Sequence, residues 1–138
     1  MRFPYRHFQD KNNPEEVIIK PMIEIRLSHG NKGLKLLALI DSGADACLFH
    51  ESVAETLEID YKQGPAKEFS GISGSQNKVT AYFHMVHLTV LGLSSIDLMA
   101  GFTESDGVGA LLGQAGFFAG SDITFQRSMN LMDIRPRA

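Results

Sequence analysis

The sequence predicts an all-β chain whose sheet is closed or strongly curved. Three observations carry this expectation. The apolar runs are short and punctuated by turn residues such as His29-Gly30-Asn31-Lys32-Gly33. Segments 17–28 and 79–91 alternate apolar with polar side chains over much of their length, the period of a strand with one wet face. Only 50–57 carries apolar residues at helical spacing, so the layers must be built mainly from strands.

Taken in order, residues 1–16 hold Pro4, the turn signal Asn12-Asn13-Pro14 and mixed charges. They read as an N-terminal arm whose order would have to come from contacts elsewhere, with the domain proper spanning 17–138. Segment 17–28 is a strand bent or edged at Pro21, and after the turn at 29–33 the chain returns through the more apolar strand 34–40. Past the apolar stretch Ala46-Cys47-Leu48-Phe49, a short helix is expected over 50–57, with Val53, Ala54 and Leu57 on one face and Glu51 in the first turn. Segment 69–78 is a glycine-rich hairpin feeding the long strand 79–91. An apolar run at 96–102, a polar loop at 103–108 and a short strand at 109–113 follow, and a final hairpin pairs 123–125 with 129–134.

At 138 residues the chain is one domain by length, large enough for its own core and too short for two lobes of this kind. The apolar fraction of 43% is ordinary for a globular protein, and no apolar run approaches the roughly 20 residues that span a bilayer, which argues against a membrane role. A net charge of −3 with no basic stripe argues against nucleic acid as a partner. The single cysteine excludes an intrachain disulfide, and the start Met-Arg-Phe-Pro-Tyr-Arg lacks the apolar stretch of a secretory signal, so a cytoplasmic setting is expected. Cys47 itself reads as a small buried hydrophobe.

The chemistry concentrates in two places. Leu39-Ile40-Asp41-Ser42-Gly43-Ala44 sets a carboxylate in a sharp turn at the end of an apolar strand, and about seventy residues later Ala110-Leu111-Leu112-Gly113 ends a second apolar strand in glycine. In this pairing and its order along the chain, with the glycine-rich hairpin between, the sequence resembles the retropepsin-like aspartic proteases over roughly residues 17–136. The resemblance implies an acid-protease barrel with one or two short helices, one lobe per chain, and an active site formed by a homodimer. It assigns Asp41, Ser42 and Gly43 to catalysis and Ala44, Leu111, Leu112 and Gly113 to supporting the site. It makes Gly71, Ile72, Ser73 and Gly74 the flap that closes over an extended peptide, with no cofactor and no metal.

Hydrolysis by carboxylates needs one group to take a proton from water while another serves the carbonyl oxygen, and two carboxyls about 3 Å apart that share a proton do both. This chain has one Asp-Ser-Gly; Ser105-Asp106-Gly107 has the reverse order and lies in a polar loop. The second copy is therefore expected from a second chain, across a two-fold axis between the Asp41 carboxylates. Viral relatives continue the last glycine with Arg-Asp, whereas Gln114 and Ala115 stand here, and Gly116-Phe117-Phe118 is similar to cellular and bacterial relatives. That departure favours a second reading, a dimer with the same groove that binds peptide without cutting it. A lesser one is a monomeric barrel for a small ligand.

Other candidates read as structural. His84 and His87 lie an odd number of residues apart on one strand and face opposite sides, so they cannot clasp one metal. Asp45 is expected to serve backbone amides at the turn or surface. Met85, Met99, Met129 and Met132 are expected in the core, with Phe117 and Phe118.

Overall fold

A computed structural model describes residues 1–70 and 78–137, and in it the chain is a small closed barrel with a separate terminal sheet. The strands in chain order are β1 (Arg2–Pro4), β2 (Arg6–Gln9), β3 (Val17–Lys20), β4 (Met22–His29), β5 (Lys32–Ile40) and β6 (Cys47–His50). After helix α1 (Glu51–Thr56) come β7 (Ala66–Phe69), β8 (Val79–Thr89), β9 (Ile96–Thr103), β10 (Ala110–Leu112), β11 (Ser121–Gln126) and β12 (Leu131–Pro136). The barrel runs β4-β5-β10-β6-β9-β8 and closes where Arg26, Leu27 and Ser28 of β4 pair with Thr89, Leu88 and His87 of β8. Strand β7 adds to the outside of β8, with Phe69 opposite Val79.

The predicted sheet architecture holds, and its causes are local. Strand β4 alternates buried Ile23, Ile25 and Leu27 with exposed Glu24 and Arg26, so one face enters the barrel. Pro21 divides β3 from β4 because it cannot donate to a ladder. Residues Gly30-Asn31 join β4 to β5 in a two-residue loop, and Gly30 takes the positive φ of 60° that such a tight hairpin demands. Helix α1 is capped by His50, whose Nδ1 accepts the Ser52 N–H, and it buries Val53 and Ala54 on the barrel core.

Residues 2–4 and 6–9 of the N-terminal arm are strands: β1 pairs with β12 (Arg2 opposite Asp133) and β2 with β3, while Tyr5 between them is buried and donates its N–H to the Asn130 carbonyl. The order comes from contacts elsewhere in the chain, since β12 supplies a ladder that the arm's own sequence does not announce.

The methionine expectation fails for three of four residues. Met132 is fully buried, but Met85 and Met99 are opposite each other on the outward face of β8 and β9, and Met129 is exposed in the turn before β12. Strand parity decides it: Val86 and Leu88 take the inward face of β8, which leaves Met85 outside. Phe117 is buried and Phe118 packs against the core.

A second, smaller apolar cluster lies apart from the main core. It gathers Ala46, Leu48, Ala81 and Val108, with Phe69, Phe83 and Leu111 packed against it. Gly101 makes room for it, because a Cβ there would stand 2.8 Å from Leu48 Cδ2 and 3.0 Å from the Phe83 ring. This cluster underlies the cleft described next.

Candidate active site

Strand β10 lies between β5, with which it is parallel, and β6, with which it is antiparallel. The 41–46 link from β5 to β6 must therefore cross the end of β10, and the crossing fixes Asp41. Its backbone N–H donates to the Leu112 carbonyl at 3.0 Å, and its own carbonyl accepts the Ala44 N–H at 3.2 Å. The carboxylate oxygen Oδ1 accepts the Gly43 N–H at 3.0 Å. One oxygen is thus oriented by the turn itself, and Asp41 is half-buried.

The chain beyond β10 binds the far side of the turn. Gln114 N–H donates to the Ala44 carbonyl at 2.8 Å and Ala115 N–H to the Asp45 carbonyl at 2.9 Å, with a parallel bridge between Ala46 and Ala115. Gly113 is buried beneath these carbonyls: a Cβ there would stand 2.5 Å from the Ala44 oxygen and as close to that of Ala46. Only a residue without a side chain lets the two segments approach this closely. The Gln114 side chain adds a further contact, Nε2 donating to the Ser42 carbonyl at 2.8 Å.

A cleft of about 340 Å³ opens over the turn, lined by Leu39, Asp41, Gly43, Ala44, Asp45, Leu48, Phe69, Ser70, Gly107 and Leu111. Leu39 faces it because it lies two residues before Asp41 on the same strand face. Leu111 and Leu112 separate by the same rule: Leu112 is fully buried, while Leu111 turns to the cleft. Phe69 and Ser70 bring the base of the β7–β8 hairpin to the opposite wall. The cleft thus combines the apolar side chains of Leu39, Leu48, Phe69 and Leu111 with two carboxylates, Asp41 held by its turn and Asp45 exposed.

The structure thus brings together Asp41, Ser42, Gly43, Ala44, Leu111, Leu112 and Gly113. Residues Gly71, Ile72, Ser73 and Gly74 lie outside the described residues. Asp45 is exposed in the lining of the cleft, and it is its main-chain carbonyl that meets a backbone amide. His84 Nε2 lies 2.6 Å from the Tyr61 carbonyl, and His87 lies 2.8 Å from Asp97 on the other face of β8. Burial pushes the Cys47 thiol above its ordinary range, against smaller opposing effects of hydrogen bonds with the backbone of Gly113 and Phe117, so it is a poor nucleophile despite its place behind the turn.

Sequence reasoning left out Leu39, Leu48 and Gly107 as cleft residues and the side-chain bond of Gln114. Strand parity counted from Asp41 was enough to find Leu39. No local signal marks the other three, because each depends on how distant strands align.

The aspartyl protease family profile matches residues 25–115. A search of the curated proteins returned no match. Among solved structures, the chain is similar to a retropepsin-like aspartic protease from Rickettsia conorii, with a TM-score of 0.59 and 11% identity over 96% of this chain and 97% of that one. The matched segment contains the Asp41 turn, both walls of the cleft and the glycine beneath them, and this chain belongs to the aspartyl protease family.

Proposed function

We propose that the protein is an aspartic endopeptidase that works as a homodimer, with one Asp41 from each subunit activating a water molecule between them. The observation that carries this reading is the Asp41 turn: Oδ1 held by the Gly43 N–H at 3.0 Å, at the floor of a cleft, in a chain with one Asp-Ser-Gly. One carboxylate cannot both take a proton from water and give one to the carbonyl oxygen. Two carboxylates brought close by a two-fold axis share one proton, because both cannot ionise comfortably at that separation. The ionised one draws a proton from water, the protonated one hydrogen-bonds the scissile carbonyl, and the proton then passes to the leaving amine.

Within this reading Ser42, exposed next to Asp41, turns its hydroxyl to the partner turn and braces the pair. Gly71 to Gly74 close over the substrate backbone from the hairpin whose base is Phe69 and Ser70, excluding water during the reaction. Substrate lies extended along the apolar walls, with Leu39, Leu48, Phe69 and Leu111 contacting its side chains.

The test is cleavage of a diverse peptide library from pH 3 to 8 by wild type and by Asp41→Asn and Asp45→Asn variants. Asp41→Asn should lose roughly 10⁴-fold or more in rate while keeping the fold, and Asp45→Asn should retain cleavage. Mixing wild type with Asp41→Asn under subunit exchange should lower activity as the square of the wild-type fraction, and a linear fall would refute the shared site. A second reading, a dimer that binds peptide without cutting it, rests on Gln114 and Ala115 following Gly113. It takes first place if the protein dimerises and binds peptide in the cleft but never cleaves.

A further inference from the structure

The side chain of Gln114 is exposed, yet it reaches across to a main-chain atom 72 positions earlier, its Nε2 donating to the Ser42 carbonyl at 2.8 Å. That carbonyl belongs to the same planar peptide unit as the Gly43 N–H, which donates to Asp41 Oδ1 at 3.0 Å. In a trans unit the C=O and N–H point in opposite directions, so the plate is held at both ends: Gln114 behind it and the Asp41 carboxylate in front. We propose that Gln114 is a positioning residue for Asp41, acting through the Ser42–Gly43 peptide plane.

Two physical effects follow from the geometry. The first is orientation. A plate with its carbonyl free could swing about its flanking torsions in an exposed turn, and the Asp41 carboxylate would swing with it; an amide donor on the carbonyl removes that freedom. The second is polarisation, since a hydrogen bond received at the carbonyl strengthens the one given by the N–H of the same unit. Gln114 suits the task because its own backbone is fixed where the reach is short: its N–H donates to the Ala44 carbonyl at 2.8 Å, and its carbonyl accepts the Ala119 N–H at 2.9 Å. The same residue thus grips the turn by main chain at Ala44 and by side chain at Ser42. Placing a donor directly after Gly113 is what makes this reach possible.

The inference deepens the protease reading and rests on it for its kinetic consequence, but the bond to Gly43 is observable without catalysis. Gln114→Met keeps the length and removes the donor, Gln114→Glu, read near neutral pH where its carboxyl is ionised, puts an acceptor against the Ser42 carbonyl, and Gln114→Lys restores a donor of similar reach. In the full-length protein, the Gly43 amide proton and its hydrogen exchange are read by NMR alongside peptide cleavage. In Met and Glu variants the Gly43 amide should shift upfield and exchange about tenfold faster, with amides of the barrel strands unchanged, and the Lys variant should recover most of both. The turnover number should fall about tenfold while KM stays within about twofold, and the acidic limb of the pH–rate profile should move to higher pH.

A Gly43 amide that is unchanged in the Met and Glu variants overturns the inference whatever the activity. A loss carried by KM alone overturns it too, since that would make Gln114 a substrate contact. If wild type cleaves nothing, the protease reading fails, and the Gly43 measurement still decides whether the clamp exists.

Discussion

Two corners of this barrel hold their parts in opposite ways. The Asp41 turn is built mainly from main-chain bonds, Asp41 to Leu112, Gln114 to Ala44 and Ala115 to Asp45, with Gly113 as the spacer and two side-chain bonds, from Gln114 to the Ser42 carbonyl and from the Gly43 N–H to the Asp41 carboxylate. The corner around Tyr61 is built from side chains. The Tyr61 hydroxyl donates to Glu51 Oε2 at 2.9 Å and lies 3.3 Å from Glu104 Oε1, and Glu104 pairs with Lys62. Both join segments far apart in sequence. The first holds its turn mainly with main-chain atoms that neither titrate nor change rotamer, the Gln114 amide and the Asp41 carboxylate being its two side-chain members, while the second ties α1 to the loop after β9 with side chains that change rotamer and titrate.

The main-chain corner depends most heavily on Gly113. Replacing it with Ala drives a Cβ into the Ala44 and Ala46 carbonyls, which cannot retreat without parting β10 from the turn. Gly113→Ala should cost roughly 3 kcal/mol and abolish cleavage, read as a lower urea midpoint with an unchanged slope. A cost below about 1 kcal/mol would show that the crossing relaxes, and the main-chain lock would not be one.

Gly43→Ala perturbs the same corner more gently. Among the described residues its Cβ would meet only Asp41 Oδ1, at 3.3 Å, a few tenths of an ångström tighter than ordinary contact. Stability should stay within about 0.5 kcal/mol of wild type, while kcat falls about tenfold because the carboxylate is displaced. Equal losses in both would mean that the turn's geometry and the fold's stability are one property.

This division also explains what could be read from the sequence. A main-chain lock requires particular residues at particular places, a turn-forming Asp-Ser-Gly and a glycine with no room for Cβ, so Asp41, Gly43 and Gly113 stand out in the text. The sheet was legible for a similar reason, since the alternation of Ile23, Ile25 and Leu27 states which face is inside. Side-chain arrangements leave no such mark. Nothing near Tyr61 announces Glu104, 43 residues later, and nothing near Gln114 announces Ser42. Met85 and Met99 were misplaced because hydrophobicity was read without strand parity, and β1 was missed because its partner β12 lies at the other end of the chain.

Tyr61→Phe tests the side-chain corner directly. The ring keeps its packing on Tyr82 and Phe102, so the change isolates the hydroxyl. Glu51 and Glu104 regain water when it goes, which limits the cost to about 1 kcal/mol by urea denaturation, with peptide cleavage unchanged. A parallel loss of cleavage would mean that this corner communicates with the Asp41 turn, and the two could no longer be treated as independent.

The smallest effect is also the one that separates the corners by condition alone. The hydrogen bond and charge of Lys62, with help from Tyr61, hold the Glu104 carboxyl below its ordinary range. A carboxylate with a depressed folded-state pKa contributes stability above the unfolded value, about 4.3, and that contribution disappears as pH falls through the folded one. Lys62 is raised by its bond to Glu104, and Tyr61 is raised chiefly by burial and then by its bond to Glu51. Those contributions are present at neutral pH and fade as pH rises beyond about 10. Glu104→Gln should therefore have a slightly lower urea midpoint than wild type near pH 7, and the two curves should converge in acid below the carboxylate range. Because Lys62 and Glu104 are both more than half exposed, salt near 0.5 M should shrink the difference. The deficit of Gly113→Ala should be the same at both salt concentrations, since no charge takes part in it. A salt-sensitive Gly113→Ala deficit, or a Glu104→Gln difference that persists in acid, would mean that the two corners do not divide between main-chain and side-chain physics.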